Sequence, residues 1–222
     1  MTRLRKYKLL SESERDREVR AQQVVEAGGW LQVFDGIGDL WLEVGTGKDT
    51  HLLERAKLYP DQFHVGIEHC RKKFESTLRK AEMLGCGENL RLLHADAFEA
   101  IDPLFADSSI DGAFILFPDP WPKTRHARRR LLQPTFLALL AQKLQPGATL
   151  EIRTDDPGYA RQALAALAGV ASLESMTGQL EWLDHPMDID QHVETLFEKR
   201  FHSKCMPIHH FYLRKTSDVA IT

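Results

Sequence analysis

Residues 40–60 read LWLEVGTGKDTHLLERAKLYP, a short apolar run followed by a glycine turn and then by a helical pattern that ends before Pro60. Glycines at positions 45 and 47 permit a tight turn and let the backbone come close to a ligand. A buried strand, a glycine turn and a helix in this order are typical of α/β proteins that bind a ligand at the carboxyl ends of parallel strands. The stretch therefore predicts an α/β fold with a mostly parallel sheet.

The same alternation continues from residue 39 to residue 154. Strands are predicted in FHVGIE, LRLLHAD, IDGAFILF and ATLEIRTD, with helices over residues 69–84 and 133–144 and a short helix near Phe98. Such alternation implies right-handed crossovers and helices on both faces of the sheet. Outside this region we expect one helix from Ser11 to Ala27 and another over residues 191–201. A last strand, PIHHFYLRK, could pair antiparallel at one edge.

Length and composition favour a single domain over residues 1–222, with residues 1–10 as a mobile basic arm. The chain is 43% hydrophobic, and its apolar runs are far shorter than the roughly 20 residues of a membrane span. Its three cysteines, Cys70, Cys86 and Cys205, have no paired spacing, as expected of reduced thiols. These features predict a cytoplasmic protein. The histidines have no metal-ligand spacing, so we expect no metal, and the oligomeric state stays open.

Three prolines interrupt the chain directly after the strand IDGAFILF. Pro118, Pro120 and Pro122 lack a backbone donor and restrict the residue before each of them. Asp119 and Trp121 should therefore be held in extended or turn geometry at the carboxyl end of a strand, where ligands of open α/β sheets bind. A rigid surface turn is the simpler alternative.

A basic cluster follows the prolines. It consists of five cations within eight residues, whereas the whole chain has a formal net charge of -3. Concentrated positive charge on a slightly acidic protein predicts a docking site for a polyanion such as the RNA backbone, although a solvated face is an alternative. The basic cluster comprises Lys123, Arg125, Arg128, Arg129 and Arg130.

One carboxylate stands at the end of each of the first three predicted strands. The acidic residue of the second strand, Glu68, lies 23 positions after Gly45 and can accept hydrogen bonds from ribose hydroxyls. The dinucleotide fingerprint G-x-G-x-x-G is incomplete because Thr50 occupies its third glycine position. Carboxylates repel a pyrophosphate but suit a sulfonium cation with an amino group, which favours S-adenosylmethionine over NAD. The predicted cofactor site contains Glu43, Gly45, Gly47, Glu68 and Asp96, and Glu43 could alternatively cap the turn.

Together these motifs resemble the tRNA (guanine-N7)-methyltransferase family. The matching segments span residues 42–200 and read LEVGTGK, GIEHCRK, NLRLLHADA, LFPDPWPKTRHARRRLLQPTFL, RTDD and TLFEKR. The chain departs from the family in the basic arm, which is short, and at Lys48-Asp49, where members more often have a small residue or glycine. The resemblance implies a Rossmann-like methyltransferase fold of seven strands. It also implies methyl transfer from S-adenosylmethionine to a guanosine of the tRNA variable loop, which gives 7-methylguanosine.

The resemblance implies roles for individual residues as well. Asp119 would be the catalytic carboxylate and would also contact the cofactor together with Glu43, Glu68 and Asp96. The residues that would engage the target nucleotide are Lys123, Asp155, Thr195 and Glu198. From the residues alone, Asp155 could instead cap a helix, and Glu198 with Lys199-Arg200 could form a solvated helix face.

Guanine N7 already has a free lone pair, so methylation needs placement and charge compensation rather than removal of a proton. A carboxylate such as Asp119 can accept hydrogen bonds from guanine N1–H and the N2 amino group and can balance the charge that moves from sulfur to the ring. Trp121 or Phe117 is available to stack on a flipped base, and Trp121 could equally pack within its turn. Two other classes stay open: a paralogous methyltransferase acting on another RNA or a small molecule, and a non-catalytic RNA-binding protein.

Overall fold

A sheet of eight strands runs through the part of the chain that the computed structural model describes, which comprises residues 9–187, 192–204 and 206–217. The strand order is β1-β4-β3-β2-β5-β6-β8-β7. All neighbouring strands pair in parallel except β8, which is antiparallel to both β6 and β7. The strands are β1 (Glu18–Val19), β2 (Leu40–Val44), β3 (Phe63–Glu68), β4 (Leu90–His94), β5 (Ile110–Leu116), β6 (Leu144–Thr154), β7 (Leu173–Ser175) and β8 (His209–Lys215).

Helices cover both faces of this sheet and bury separate apolar cores. Helices α4 and α5 pack over the first core with β4, and helices α2, α3, α6, α7 and α8 pack over the larger one. Because β2 is covered on both faces, all five of its residues are buried. The helices are α1 (Glu12–Arg15), α2 (Ala21–Ala27), α3 (Trp30–Phe34), α4 (His51–Leu58), α5 (Arg71–Met83), α6 (Ala97–Leu104), α7 (Pro134–Lys143), α8 (Pro157–Leu167) and α9 (Leu196–His202), with a 3-10 helix over Thr124–Arg129.

The predicted α/β fold with a mostly parallel sheet is confirmed, and β2 to β8 are the seven strands that the resemblance implies. The additional strand β1 has two residues. The position of β8 differs from the prediction, because β8 lies between β6 and β7 rather than at an edge. No helix within the described ranges is long and apolar enough to cross a lipid bilayer.

The single helix predicted from Ser11 to Ala27 is wrong, because two helices with a strand between them occupy this segment. The capping box is present: Glu14 N donates to Ser11 Oγ, and Ser11 N donates to the Glu14 carboxylate at 2.7 Å. The helix stops at Arg15 since the edge of β4 captures the next residues, with Leu92 N donating to the Arg17 carbonyl at 2.7 Å. Tertiary pairing has therefore overridden a local helical pattern.

Two other predictions about the ends of the chain have different outcomes. The helix predicted over residues 191–201 begins later, at Leu196, because Thr195 caps it. Residues 1–8 and Cys205 lie outside the described part, so the mobile arm over residues 1–10 and the state of Cys205 stay predictions. Cys70 and Cys86 are free thiols.

Candidate active site

A cavity of about 800 Å³ opens at the carboxyl ends of the parallel strands. Its walls come from the ends of β2, β3 and β5, the start of α6, the 3-10 helix and the first turn of α9. The cavity brings together nine of the predicted site residues: Glu43, Gly45, Gly47, Glu68, Asp96, Asp119, Arg128, Arg129 and Thr195. The other five, Lys123, Arg125, Arg130, Asp155 and Glu198, are not among the residues that line it.

The glycine loop, residues 45–49, forms one wall of the cavity. Gly45 and Gly47 have φ of +80° and +61°, which side chains other than glycine rarely adopt. A Cβ atom at Gly45 would meet no atom of the described residues within 4 Å, so the backbone there borders open space. Glu68 fixes the loop by accepting from Gly47 N at 2.8 Å, and its other oxygen accepts from Cys70 N at 2.7 Å.

Glu43 is buried below the glycine loop. Its carboxylate lies 2.6 Å from Nδ1 of His51, the first residue of α4, and the His51 ring stands edge-on to Phe114. The pairing with His51 was not expected from the sequence, which suggested a turn cap as the alternative role of Glu43. A buried carboxylate with a charge-assisted partner keeps further lone pairs for a ligand.

Asp96 and Phe98 line the cavity at the start of α6. Asp96 is the N-cap of α6, with its carboxylate accepting from Phe98 N at 2.9 Å. The Phe98 ring is 43% exposed and also lies against Phe136, so it offers the cavity an apolar surface.

Asp119 is exposed on a loop with unusual backbone geometry. The residues two positions before and after Asp119, Phe117 and Trp121, have φ of +49° and +42°. Extended geometry at Trp121, one of the two forms expected before a proline, is therefore wrong, because its backbone lies in the left-handed region. A non-glycine residue in this region costs about 1–3 kcal/mol, a strain that surrounding contacts must hold in place.

Arg130 supplies those contacts. Its guanidinium donates to the carbonyl oxygens of Pro120 at 2.7 Å and Trp121 at 3.1 Å, and it also hydrogen-bonds the Gln162 side chain. It lies over the Tyr159 ring of α8 as well. The structure thus places Arg130 on the inner side of the proline loop, unlike the exposed Arg128 and Arg129.

The two aromatic side chains proposed to stack on a base have protein neighbours. Phe117 lies 4.7 Å from the ring centroid of Phe197 in α9. Trp121 lies edge-on to His126, and the Arg129 guanidinium is 5.1 Å above its ring centroid. Stacking of either ring on a base stays a prediction.

Helix α9 begins with a reciprocal cap and is held by a buried ion cluster. Thr195 Oγ1 accepts from Glu198 N at 2.9 Å, and the Glu198 carboxylate accepts from Thr195 N at 2.8 Å and from Arg153. Arg153 also binds Glu151 at 2.6 Å. Burial opposes both charges of this pair, yet the mutual attraction raises the pKa of Arg153 and lowers the pKa of Glu151.

This arrangement decides two alternatives left open by the sequence. Glu198 is fully buried, so its placement on a solvated helix face is wrong, whereas Lys199 and Arg200 are exposed. Asp155 does not cap a helix, because the N-cap of α8 is Asp156, which accepts from Tyr159 N at 2.7 Å. Asp155 is half-buried, and burial raises the pKa of its carboxyl group.

Several residues that line the cavity were not among the predicted site residues, and they include Asp49, Phe98 and Arg200. A helical period in TLFEKR places Leu196 and Arg200 on one face, four residues apart, and this signal could have identified Arg200. Asp49 and Phe98 lie two residues after Gly47 and Asp96, but their contacts with Leu196 and Phe136 join distant segments and give no signal in the sequence.

The sheet order, the glycine loop and the acidic residues around the cavity define a class I methyltransferase that uses S-adenosylmethionine. The family model described as "Putative methyltransferase" matches residues 38–211. The tRNA (guanine-N(7)-)-methyltransferase of Nitrosococcus oceani is 36% identical over 69% of this chain and 65% of its own length. The tRNA (guanine-N(7)-)-methyltransferase of Pediococcus pentosaceus is 34% identical over 86% of this chain and 91% of its own length. The chain belongs to the tRNA (guanine-N7)-methyltransferase family, which confirms the resemblance of the motifs.

Solved structures of lower identity support the fold alone. The 16S rRNA methyltransferase KamB is 21% identical and aligns with a TM-score of 0.60 over 84% of this chain and 92% of its own. A 16S rRNA (adenine(1408)-N(1))-methyltransferase from Catenulisporales acidiphilia, solved with its cosubstrate, is 17% identical over 92% of this chain and 95% of its own, with a TM-score of 0.57.

The residues around the cavity fit S-adenosylmethionine. Buried carboxylates at Glu43 and Glu68 and the exposed Asp96 suit ribose hydroxyls and positive charge, and the ring of Phe98 suits an apolar or aromatic group. The open space at Gly45 leaves room beside the loop backbone.

Proposed function

We propose that the protein methylates N7 of a guanosine in tRNA and so forms 7-methylguanosine, with the variable-loop guanosine as its target. The observation that carries this proposal is the position of Asp119. Its exposed carboxylate lines the same cavity as Glu43, Glu68 and Asp96, and it stands on a strained loop that Arg130 fixes. The names of the relatives support the choice of tRNA and of guanine N7.

When bound, S-adenosylmethionine supplies a methyl group on a positively charged sulfur. The chain's own residues divide the remaining tasks by position. Glu68 and Asp96 would bind the nucleoside end, since both stand at the edge of the cavity formed by β3 and α6. Asp119 would accept the N1–H and N2 hydrogen bonds of guanine, which adenine lacks, and would balance the positive charge that develops on the ring.

Residues around the mouth would hold the RNA. Arg128, Arg129 and Arg200 all line the cavity, so cations border the space that a flipped nucleotide would enter. Lys123 and Arg125 are exposed and lie outside the cavity wall, and they would contact phosphates farther along the RNA. Thr195 would contact the nucleotide, and Glu198 would act by fixing Thr195. Asp155 does not line the cavity, and we propose that it contacts the substrate outside it.

The deciding experiment combines Asp119→Ala and Asp119→Asn with mass spectrometry of nucleosides from treated tRNA. Both variants should lose roughly 10²- to 10³-fold in turnover, because neither a methyl group nor a neutral amide can balance the developing charge. Asp61→Asn is the matched control, since Asp61 is an exposed carboxylate before β3 at the opposite edge of the sheet. Both Asp119 variants should unfold at the wild-type temperature.

Other results would favour the alternatives. Wild-type protein that binds tRNA but yields no methylated nucleoside would be a non-catalytic RNA-binding protein. Methylation of another RNA or of a small molecule in place of tRNA would identify the paralogous enzyme. Wild-type turnover in Asp119→Asn would rule out the charge role of Asp119. We also propose a cytoplasmic location, which the free thiols of Cys70 and Cys86 support.

A further inference from the structure

Asp49 ties the glycine loop to helix α9 with one carboxylate. Its Oδ1 atom accepts from Thr50 N at 2.7 Å and from His51 N at 3.1 Å, at the start of α4. The same oxygen accepts from Leu196 N at 3.1 Å, and Oδ2 accepts from Phe197 N at 3.3 Å, at the start of α9. Asp49 and Leu196 are 147 residues apart in sequence.

A carboxylate suits this position for an electrostatic reason. The first N–H groups of a helix have no partner within it and carry partial positive charge, so two helix starts that face each other repel. Asp49 accepts from both and neutralises both. A single side chain therefore bridges the glycine loop and α9.

The two tied segments belong to different ends of the cavity. The glycine loop lies at the cofactor end, where Glu68 holds Gly47 N. Thr195 caps α9, and the first turn of α9 packs Phe197 against Phe117, two residues before Asp119. On its other side α9 is held by Arg153 through Glu198. Asp49 is thus a direct polar connection between the cofactor end and the nucleotide end.

We infer that Asp49 is a positioning residue that couples the binding of S-adenosylmethionine to the binding of the RNA. A cofactor that orders the glycine loop also fixes the α9 turn in the position that the nucleotide needs, and RNA on the α9 turn fixes the loop for the cofactor. Linkage requires the two effects to be equal in size. The inference rests on the proposed function, because it needs both ligands to bind in this cavity.

The test is a thermodynamic cycle with S-adenosylhomocysteine, the unreactive product of the donor. The Kd of a tRNA transcript is measured with and without saturating S-adenosylhomocysteine in wild type, Asp49→Ala, Asp49→Asn and the control Asp61→Asn. Wild type and control should bind tRNA at least about 5-fold more tightly with S-adenosylhomocysteine, the lower end of usual coupling. Asp49→Ala should bring the ratio close to one, and Asp49→Asn, which keeps one acceptor oxygen, should give an intermediate ratio.

The converse titration, of S-adenosylhomocysteine with and without tRNA, should give the same ratio for each variant. A wild-type ratio of one would overturn the inference. The inference would also be overturned by an Asp49→Ala variant that has a lower melting temperature and binds each ligand less tightly but keeps the wild-type ratio. Asp49 would then have a structural role only. Wild-type protein that binds no S-adenosylhomocysteine or no tRNA would instead refute the proposed function, and the coupling with it.

Discussion

Glu68 uses both carboxylate oxygens within the protein, on Gly47 N and on Cys70 N. Its replacement therefore removes more than a ligand contact. Each oxygen has a further lone pair, so the same side chain can still bind ribose hydroxyls while it holds the glycine loop. The predicted role in cofactor binding and the observed role in the loop are compatible at this one residue.

We expect Glu68→Ala to weaken the binding of S-adenosylmethionine by roughly 1.5–3 kcal/mol, the usual effect of losing a hydrogen bond to a charged group. Glu68→Gln should lose less, because the amide oxygen can still accept from one backbone N–H. Isothermal titration calorimetry measures both, with Asp61→Asn as the control. NAD should not bind any of these proteins. An unchanged cofactor affinity in Glu68→Ala would remove Glu68 from the site.

The residues of the site were predictable from sequence to different degrees. Glu43, Glu68 and Asp96 could be identified because each stands at or near the end of a strand, and the ends of parallel strands share one edge. The pairing of Glu43 with His51 and the contacts of Asp49 with the start of α9 could not be predicted, since only the folded chain creates them. A residue before a proline usually has an extended backbone, but Trp121 does not. The hydrogen bond from Arg130 to the Trp121 carbonyl helps to hold Trp121 in this disfavoured conformation.

At the scale of the element, the basic cluster is divided between two tasks. Arg128 and Arg129 line the cavity mouth on the 3-10 helix, and Arg130 directly after it binds the proline loop. Five cations in a row of eight residues had suggested one continuous surface for RNA. The structure assigns the last of them a contact with the protein itself.

Single substitutions should separate these tasks. Arg128→Ala should raise the Michaelis constant for tRNA, leave the melting temperature unchanged and flatten the slope of log affinity against log salt by about 0.7–0.9. Arg130→Ala should mainly lower turnover, because the loop that carries Asp119 loses its two carbonyl contacts. Arg130→Lys should not restore turnover, since an ammonium lacks the planar fork.

The salt slope of tRNA binding and the steady-state rates provide the two measurements. Equal losses of tRNA affinity and equal changes of slope in Arg128→Ala and Arg130→Ala would contradict the division. Lys72→Ala in α5 is a control for removal of an exposed cation away from the 3-10 helix.

The helices show where sequence patterns mislead. The interior crossover helices have clear patterns and boundaries near the predicted ones. The segment from Ser11 to Ala27 has the composition of one helix, yet the free edge of β4 takes Glu18 and Val19 as a strand. Helix α9 starts late because Thr195 and Glu198 form a capping box that a helical period alone does not reveal.

At the scale of the molecule, buried His64 makes stability depend on pH. His64 has no exposed surface in β3, and burial together with the positive charge of Arg55 lowers its pKa to about 3. The unfolded chain binds this proton near pH 6.5, whereas the folded protein does not, so folding loses stability as the pH falls from 6.5 towards 3. The loss for one group is at most about 1.4 kcal/mol per pH unit.

We expect His64→Phe to reduce this slope. Urea unfolding of wild type and variant at pH 7.5, 6.5, 5.5 and 4.5 gives the two slopes, and their difference isolates His64 from other groups such as His192, whose pKa burial also lowers. The difference should vanish above pH 6.5. Parallel curves between pH 6.5 and 4.5 would show that His64 takes up its proton in the folded state.

The general architecture could be predicted because alternating strands and helices permit few arrangements. The alternation from residue 39 to residue 154 leaves little choice beyond a parallel sheet with helices on both faces. The position of the last strand could not be predicted in this way. The sequence PIHHFYLRK does not specify its neighbours in the sheet, since an antiparallel strand can join an edge or enter between two strands.

The insertion of β8 between β6 and β7 has a consequence for synthesis on the ribosome. Strand β7 pairs only with β8 among the described strands, and β6 keeps an open hydrogen-bonding edge until residues 209–215 leave the exit tunnel. An open edge strand is a template for pairing with other chains. We expect nascent chains arrested before residue 209 to be digested rapidly by protease and to bind chaperones. Arrested chains that carry a C-terminal linker long enough to bring residues 209–215 out of the tunnel should resist digestion. Equal resistance of both would show that the sheet closes earlier.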